Sequence, residues 1–167
     1  MEISQIITKM IIFSKGNLHD INHFMKVYAF AKLIGESENL DKNTQNILET
    51  AAILHDIACP VCRKKYGNTN GKFQEIEGVP LVLDFFKDFK PAKDFTQRVA
   101  FLVGHHHTYN NIDGLDYQIL LEADYLVNAD ESKYSKESIQ NTLDKIFKTK
   151  TGISLLKSMY LLWFLKE

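Results

Sequence analysis

The chain has 167 residues, 45% of them hydrophobic, which is enough to bury one core without disulfides or a structural metal. Its 20 Lys and Arg against 21 Asp and Glu leave a formal charge of -1, so no whole-protein field selects for a nucleic acid polymer or a membrane surface, and a small-molecule partner fits better. MEISQIITKM lacks the basic and apolar segments of a signal peptide, and the longest apolar stretch, Met159 to Leu165, is too short to cross a bilayer, so a cytoplasmic protein is expected.

Apolar residues recur at three- and four-residue spacings, and no alternating run is bounded by turns, so the expected fold is all-α: one domain, a compact bundle of about seven to eight helices. The first helix covers about Ser4 to Phe13 and ends at Lys15-Gly16-Asn17. A second, about Leu18 to Glu38, carries His23, Val27, Phe30, Ala31 and Ile34 on one face. A third opens after Asp41 as N-cap, aligns Ile47, Ala51, Leu54, His55 and Ala58, and is stopped by Pro60, which places His55 and Asp56 in its last turn. CPVCRKKYGNTN, from Cys59 to Asn70, is polar, basic and rich in turn formers, and reads as a loop, of a length that is usually functional or mobile. Cys59 and Cys62 are the only cysteines; with no second C-x-x-C and no preceding strand they read as part of that loop rather than as a redox pair or half a zinc site.

Helical periodicity resumes from about Lys72 to Phe89, with Ile76, Val79, Leu83 and Phe86 as the expected buried face, and again after Pro91 up to His105-His106-His107. After the turn TYNNIDG, a helix from Leu115 to Ala129 aligns Ile119, Leu120, Ala123, Asp124 and Val127. Two more, near Lys136 to Phe147 and Ile153 to Leu165, complete the chain; MYLLWFL in the last reads as core in preference to a homodimer face.

Four helical stripes carry an ionisable residue where an apolar one is expected: His23, His55, His106 (with Val99, Leu102 and Val103) and Asp124. One inward histidine is usually a satisfied core residue. Several buried imidazoles and carboxylates would cost a few kcal/mol each if unpaired, so they should converge on a shared compensating charge, which a divalent cation supplies. Imidazole with carboxylate and no thiolate suits Mn, Fe, Co, Ni or Zn, with Mg less favoured and Ca least. His106 is chosen as inward from its stripe, and a one-residue error would make it His105.

The order His23, His55-Asp56, Asp124 resembles the H…HD…D signature of the HD-domain metal-dependent phosphohydrolase superfamily. HDINHFMKVYAFAKLIG is similar to the family's first-ligand helix, AAILHDIA to its HD helix and LLEADYLVN to the helix bearing the last aspartate, over about residues 18 to 130. A subgroup of small stand-alone HD proteins, with a loop like RKYG…GK followed by QE and by GHHHTY, is more similar still. The resemblance implies His23, His55, Asp56 and Asp124 as metal ligands. Two-metal members carry a further histidine where KFQEIEGVP holds Gln74, and a neutral amide is a poor second-site ligand, so one tightly held ion is expected and any second ion is weak or substrate-dependent.

Such an ion would activate water for phosphoester hydrolysis, with Asp56 both ligating and orienting the water and His105 or His106 binding a phosphate oxygen or protonating the leaving group. Arg63, Lys64, Lys65 and Lys72 are candidates to bind the phosphate, with Gln74 and Glu77 also assigned to substrate binding; a solvated basic loop is an equal reading of the run. Tyr66 or Tyr109 is a candidate to stack on a base, and Glu75 and Glu77 are candidates for acid/base work, one of them serving only as a cap or facing solvent. The leading expectation is a phosphohydrolase acting on a small phosphorylated compound, a nucleotide. The alternatives are a di-iron HD-type oxygenase, against which Gln74 argues, and a metal- or nucleotide-binding sensor without turnover.

Overall fold

The structure is a computed structural model that describes residues 2–162. The described residues form nine helices and no strand: α1 (Ile3–Phe13), α2 (Leu18–Ser37), α3 (Lys42–Leu54), α4 (Cys59–Tyr66), α5 (Gly71–Phe85), α6 (Lys93–Val103), α7 (Leu115–Glu131), α8 (Lys136–Lys145) and α9 (Lys150–Tyr160). None is long and apolar enough to cross a membrane.

Two helices form the centre. In α3 every residue from Ile47 to Leu54 is buried, and in α7 burial runs from Asp116 to Val127, so neither has a polar face for solvent. Around them α2 packs on both, α6 covers α3, α5 lies on α6, and α1 and α9 close the ends. Leu48, Ile53 and Leu54 of α3 are fully buried, each contributing about 2 kcal/mol by removal from water. The chain leaving α3 is therefore held by the most constrained helix of the bundle. Asp41 caps α3 as expected, accepting from the backbone N–H groups of Asn43 at 2.9 Å and Thr44 at 3.1 Å.

Three expectations are corrected. The segment after the HD pair is not a loop: α3 ends at Leu54, residues 55–58 make a tight turn, and the chain re-enters a helix, α4, at Cys59. Pro60 sits in the first turn of α4, where a missing N–H removes no hydrogen bond, and Gly67, left-handed at φ 71°, terminates the helix. His55 is consequently the C-cap of α3 and Asp56 lies in the elbow between two helices.

The expected buried face of α5 is met only in part: Phe86 is buried and Val79 packs against the core as expected, but Ile76 and Leu83 are exposed, whereas Gln74, Gly78, Val82 and Phe85 point inward. Gly78 explains the phase: a Cβ there would lie 2.9 Å from Val103 Cγ1, so α5 turns its smallest residue to α6 to bring the helices close. In MYLLWFL, Tyr160 and Leu161 pack on the core, Met159 and Leu162 are exposed, and the stretch from Trp163 onward lies outside the described residues.

Away from the histidines, Glu122 of α7 is fully buried and anchors the junction of α8 and α9. Its Oε1 accepts from Gln118 Nε2 at 2.7 Å and from the backbone N–H groups of Lys148 at 2.7 Å and Thr149 at 3.0 Å, while Oε2 accepts from the Thr149 hydroxyl. Glu122→Ala would strand these donors, and we expect a loss of about 3 kcal/mol. A thermal melt should then fall by roughly 6–12 °C, with Glu122→Gln, which keeps one acceptor oxygen, falling less.

Candidate metal centre

His23 from α2, His55 and Asp56 from the α3–α4 elbow and Asp124 from α7 meet at one point. His23 Nε2 lies 3.1 Å from His55 Nε2 and 3.2 Å from Asp124 Oδ1, and His55 Nε2 lies 3.5 Å from the same oxygen. Asp56 Oδ2 is 3.6 Å from His23 Nε2 and 3.7 Å from His55 Nε2. Ligands about 2.1 Å from a common ion are separated by roughly 3.0–3.4 Å; the ligand atoms of His23, His55 and Asp56 all lie within 4.8 Å of one another, and Asp124 adjoins them through both rings, so the groups need to draw in to close on a single cation.

Hydrogen bonds on the far side of each ring fix which nitrogen faces the centre. His55 Nδ1 donates to the Ala52 carbonyl at 2.8 Å, and His106 Nδ1 to the Val103 carbonyl at 2.7 Å; a carbonyl only accepts, so in the neutral rings Nε2 presents a lone pair. His23 Nδ1 meets Glu131 Oε2 at 2.8 Å, and Glu131 is held in turn by Lys26 at 2.9 Å. Asn128 donates to Asp124 Oδ1 at 2.8 Å. Such outer contacts orient ligating side chains and raise their basicity.

In the metal-free chain the charges compensate one another. Burial by itself would depress His23, but Asp124, Asp56 and Glu131 outweigh it and hold the ring up at about 9. Burial likewise disfavours the charged forms of Asp56 and Asp124, yet the surrounding imidazoles keep both well below the usual carboxylate range. A proton on His23 thus occupies the place a cation would take.

A second donor group adjoins the first. Asp56 Oδ1, 3.5 Å from His106 Nε2, combines with His106 and His107 into a set whose ligand atoms all lie within 4.8 Å. His106 is fully buried, and the Nε2 atoms of both histidines are buried without a hydrogen-bond partner. Two orphaned imidazole nitrogens facing a carboxylate suit a further cation or a protonated phosphate oxygen. Glu75 braces their turn by accepting from the His107 backbone N–H at 3.0 Å and the Thr108 hydroxyl at 2.9 Å. Gly71 makes room for the His107 ring, since a Cβ there would meet it at 2.6 Å. Burial and the neighbouring His106 push His107 down to about 4, so it is a neutral donor near pH 7.

These groups open on a cavity of about 310 Å³ lined also by Asp20, Cys59, Arg63, Gln74, Tyr109 and Tyr134. Of the basic run, only Arg63 reaches it. A helix turns about 100° per residue, so with Arg63 directed at Asp20 of α2, Lys64 and Lys65 of α4 are carried away from the cavity. Lys65 pairs with Glu77 at 2.6 Å, Glu77 also accepts from Tyr66, Tyr66 stacks on Phe73 at 4.0 Å, and Lys72 is exposed outside the lining. Lys64, Lys65, Lys72, Glu77 and Tyr66 are therefore not at the site. His105 is also outside: its Nδ1 donates to Phe101 O at 2.7 Å and its ring stacks on Phe101 at 4.2 Å, leaving His106 as the inward residue.

Gln74 does line the cavity, but both ends of its amide are engaged: Nε2 donates to Thr69 O at 2.8 Å and Oε1 accepts from Cys59 Sγ at 3.4 Å. Burial and the nearby Asp56 push the Cys59 thiol far up, so it is no thiolate nucleophile. Sequence reasoning missed Asp20, Asn128, Glu131 and His107. The first three had a signal, lying one helical turn before His23 and one and two turns after Asp124; His107 had none, because it follows the end of α6 in a turn.

Metal uptake should displace the His23 proton. Because that ring titrates near 9 in the metal-free chain, against an ordinary 6.5, calorimetry in buffers of different ionisation enthalpy should find about one proton released per Mn or Zn ion at pH 7.5. Apparent affinity should rise about tenfold per pH unit from 6.5 towards 9 and flatten above it. Glu131→Gln should weaken metal binding by about tenfold through loss of the His23 brace.

No curated protein matches the sequence. The crystal structure of a predicted HD superfamily hydrolase from an uncultured Thermotogales bacterium is similar in fold, with a TM-score of 0.66 and 22% identity over 98% of this chain and 87% of that one. The family model for the HD domain matches residues 20–148, a stretch that contains all four residues of the first donor group. The chain belongs to the HD-domain family.

Proposed function

We propose that this protein is a metal-dependent phosphohydrolase that cleaves a phosphoester of a small molecule, a nucleotide. The observation that carries the reading is the convergence of His23, His55, Asp56 and Asp124, with the Nε2 atoms of both imidazoles turned inward and a cavity beside them. A bound divalent ion would supply Lewis acidity towards the phosphoryl oxygens and lower the pKa of water. Hydrolysis adds water across the bond between phosphorus and the leaving oxygen, releasing phosphate and an alcohol.

The chain's own groups divide the remaining work. Asp56 stands between the two donor sets, Oδ2 towards His23 and His55 and Oδ1 towards His106, and so is placed to orient the attacking water. Arg63 is held by both oxygens of Asp20, an end-on pairing that leaves Nε–H and further donors for a phosphate oxygen. His106 and His107 provide either a second, weaker ion position with Asp56 or a contact to phosphate. The set lacks the additional imidazole that Gln74 replaces, which favours hydrolysis at one firmly held ion over di-iron oxidation.

His55→Ala and Asp124→Ala should each abolish hydrolysis of nucleoside monophosphates by the Mn- or Co-loaded protein while circular dichroism keeps its helical signal. Arg63→Ala should raise KM by about tenfold with a smaller change in kcat, as expected for a charge-assisted contact to substrate. Hydrolysis surviving in His55→Ala would sink the proposed site. Two irons per chain with an oxygen-dependent product would replace this reading with the oxygenase, and tight nucleotide binding without turnover on any phosphoester would replace it with the sensor.

A further inference from the structure

A second cavity adjoins the metal centre and takes no part in the chemistry derived above. It has about 530 Å³ and lies between α8 and the segment that follows the histidine turn. Tyr109 and Tyr125 line both cavities and so form their common wall. The opposite side is α8, where Glu137, Asn141 and Lys145 recur at four-residue spacing on one face. Among the described residues the side chains of Asn141 and Lys145 carry no hydrogen bond or ion pair, so their donors are free to meet a ligand.

Volume decides what must enter this cleft. A water fills about 30 Å³, so an ion with its remaining waters and a tetrahedral phosphoryl group take roughly half of the first cavity. A short alcohol still fits there, but a sugar and a ring system together do not, and the shared tyrosine wall leads to the second cavity. The wall is aromatic, which suits the face of a planar ring. The far side is an amide, an ammonium and a carboxylate, which suit a ring's polar edge and sugar hydroxyls and oppose an acyl chain.

We propose that the cleft between Tyr109, Tyr125 and α8 is the leaving-group subsite and takes a nucleoside, with Asn141 and Lys145 as its specificity-determining residues. This rests on the phosphohydrolase reading, because the phosphate must sit at the metal for the nucleoside to reach α8. The subsite also explains the placement of Tyr109. Its segment is pinned on either side, by Arg98 to Asp116 at 2.7 and 2.9 Å and by the Tyr117 hydroxyl at 2.6 Å from the Thr108 carbonyl, so the ring is presented at the boundary between the cavities.

The test separates the subsite from the chemistry. Binding of adenosine and of cytidine, which lack the phosphate, is measured on the full chain by calorimetry, and hydrolysis of the corresponding 5′-monophosphates is compared with that of glycerol phosphate. Asn141→Leu combined with Lys145→Ala should weaken nucleoside binding by about tenfold and lower the ratio of kcat/KM for nucleotide over glycerol phosphate by a similar factor. Misfolding would lower both substrates together and leave the ratio unmoved. Nucleoside binding and a substrate ratio that are unchanged in the double variant overturn the subsite. Nucleoside binding that depends on α8 in a protein that cleaves no phosphoester upholds the cleft and sinks the catalytic reading.

Discussion

Two imidazole nitrogens 3.1 Å apart, which as neutral rings would turn their lone pairs on each other, are the constraint on which the centre of this molecule depends. The outward-facing nitrogens of His23 and His55 are committed, one to Glu131 and one to the Ala52 carbonyl, so neither ring can relieve the repulsion by changing tautomer without breaking a buried bond. Something positive must lie between them. In the metal-free chain it is a proton, stabilised by Asp56 and Asp124; in a loaded chain a divalent ion would satisfy all four groups at once. The polar residues on otherwise apolar helices thus form one compensated unit rather than separate defects.

The rest of the bundle serves to hold that unit. α3 and α7, buried nearly all round, deliver the HD elbow and Asp124, and α2 packs on both to bring in His23. Ending α3 at Leu54 matters chemically. Had the helix continued, His55 and Asp56 would diverge by about 100° around its axis, whereas the turn through residues 55–58 lets both side chains reach the same point. The re-entry into α4 then places Arg63 over the cavity and removes its neighbouring lysines from it.

Much of this could be read from the sequence, and the failures share a cause. Periodicity located eight of the nine helices and marked His23, His55, His106 and Asp124, because an ionisable residue on an apolar stripe is conspicuous wherever the stripe is long. α4 is only eight residues, begins with Pro60 and ends in a basic turn, so its composition resembles a loop while its backbone is satisfied as a helix. In α5 the expected face holds at Val79 and Phe86 but fails at Ile76 and Leu83, because Gly78 is inward for its smallness and a scale of hydrophobicity gives no weight to absence of volume. His107 could not be found this way at all: its position is set by Glu75 and Gly71, partners more than 30 residues distant in the chain.

The electrostatics of the cavity give the metal a role that precedes any chemistry. Asp20, Asp56, Asp124 and Glu131 line it with four carboxylates, against which stand Arg63, itself paired with Asp20, Lys26, paired with Glu131, and a proton on His23. A phosphate monoester entering that space would meet net negative charge in a low-dielectric setting, where repulsion is weakly screened. Replacing the His23 proton by a divalent ion raises the local charge by one, and a second ion at Asp56, His106 and His107 would raise it by two more. The same donor sets that would polarise a phosphoryl group would therefore also govern whether such a substrate binds. Under the proposed function, nucleoside recognition at α8 would supply binding energy from a part of the ligand that does not feel this repulsion, so the two cavities would make complementary demands on one substrate.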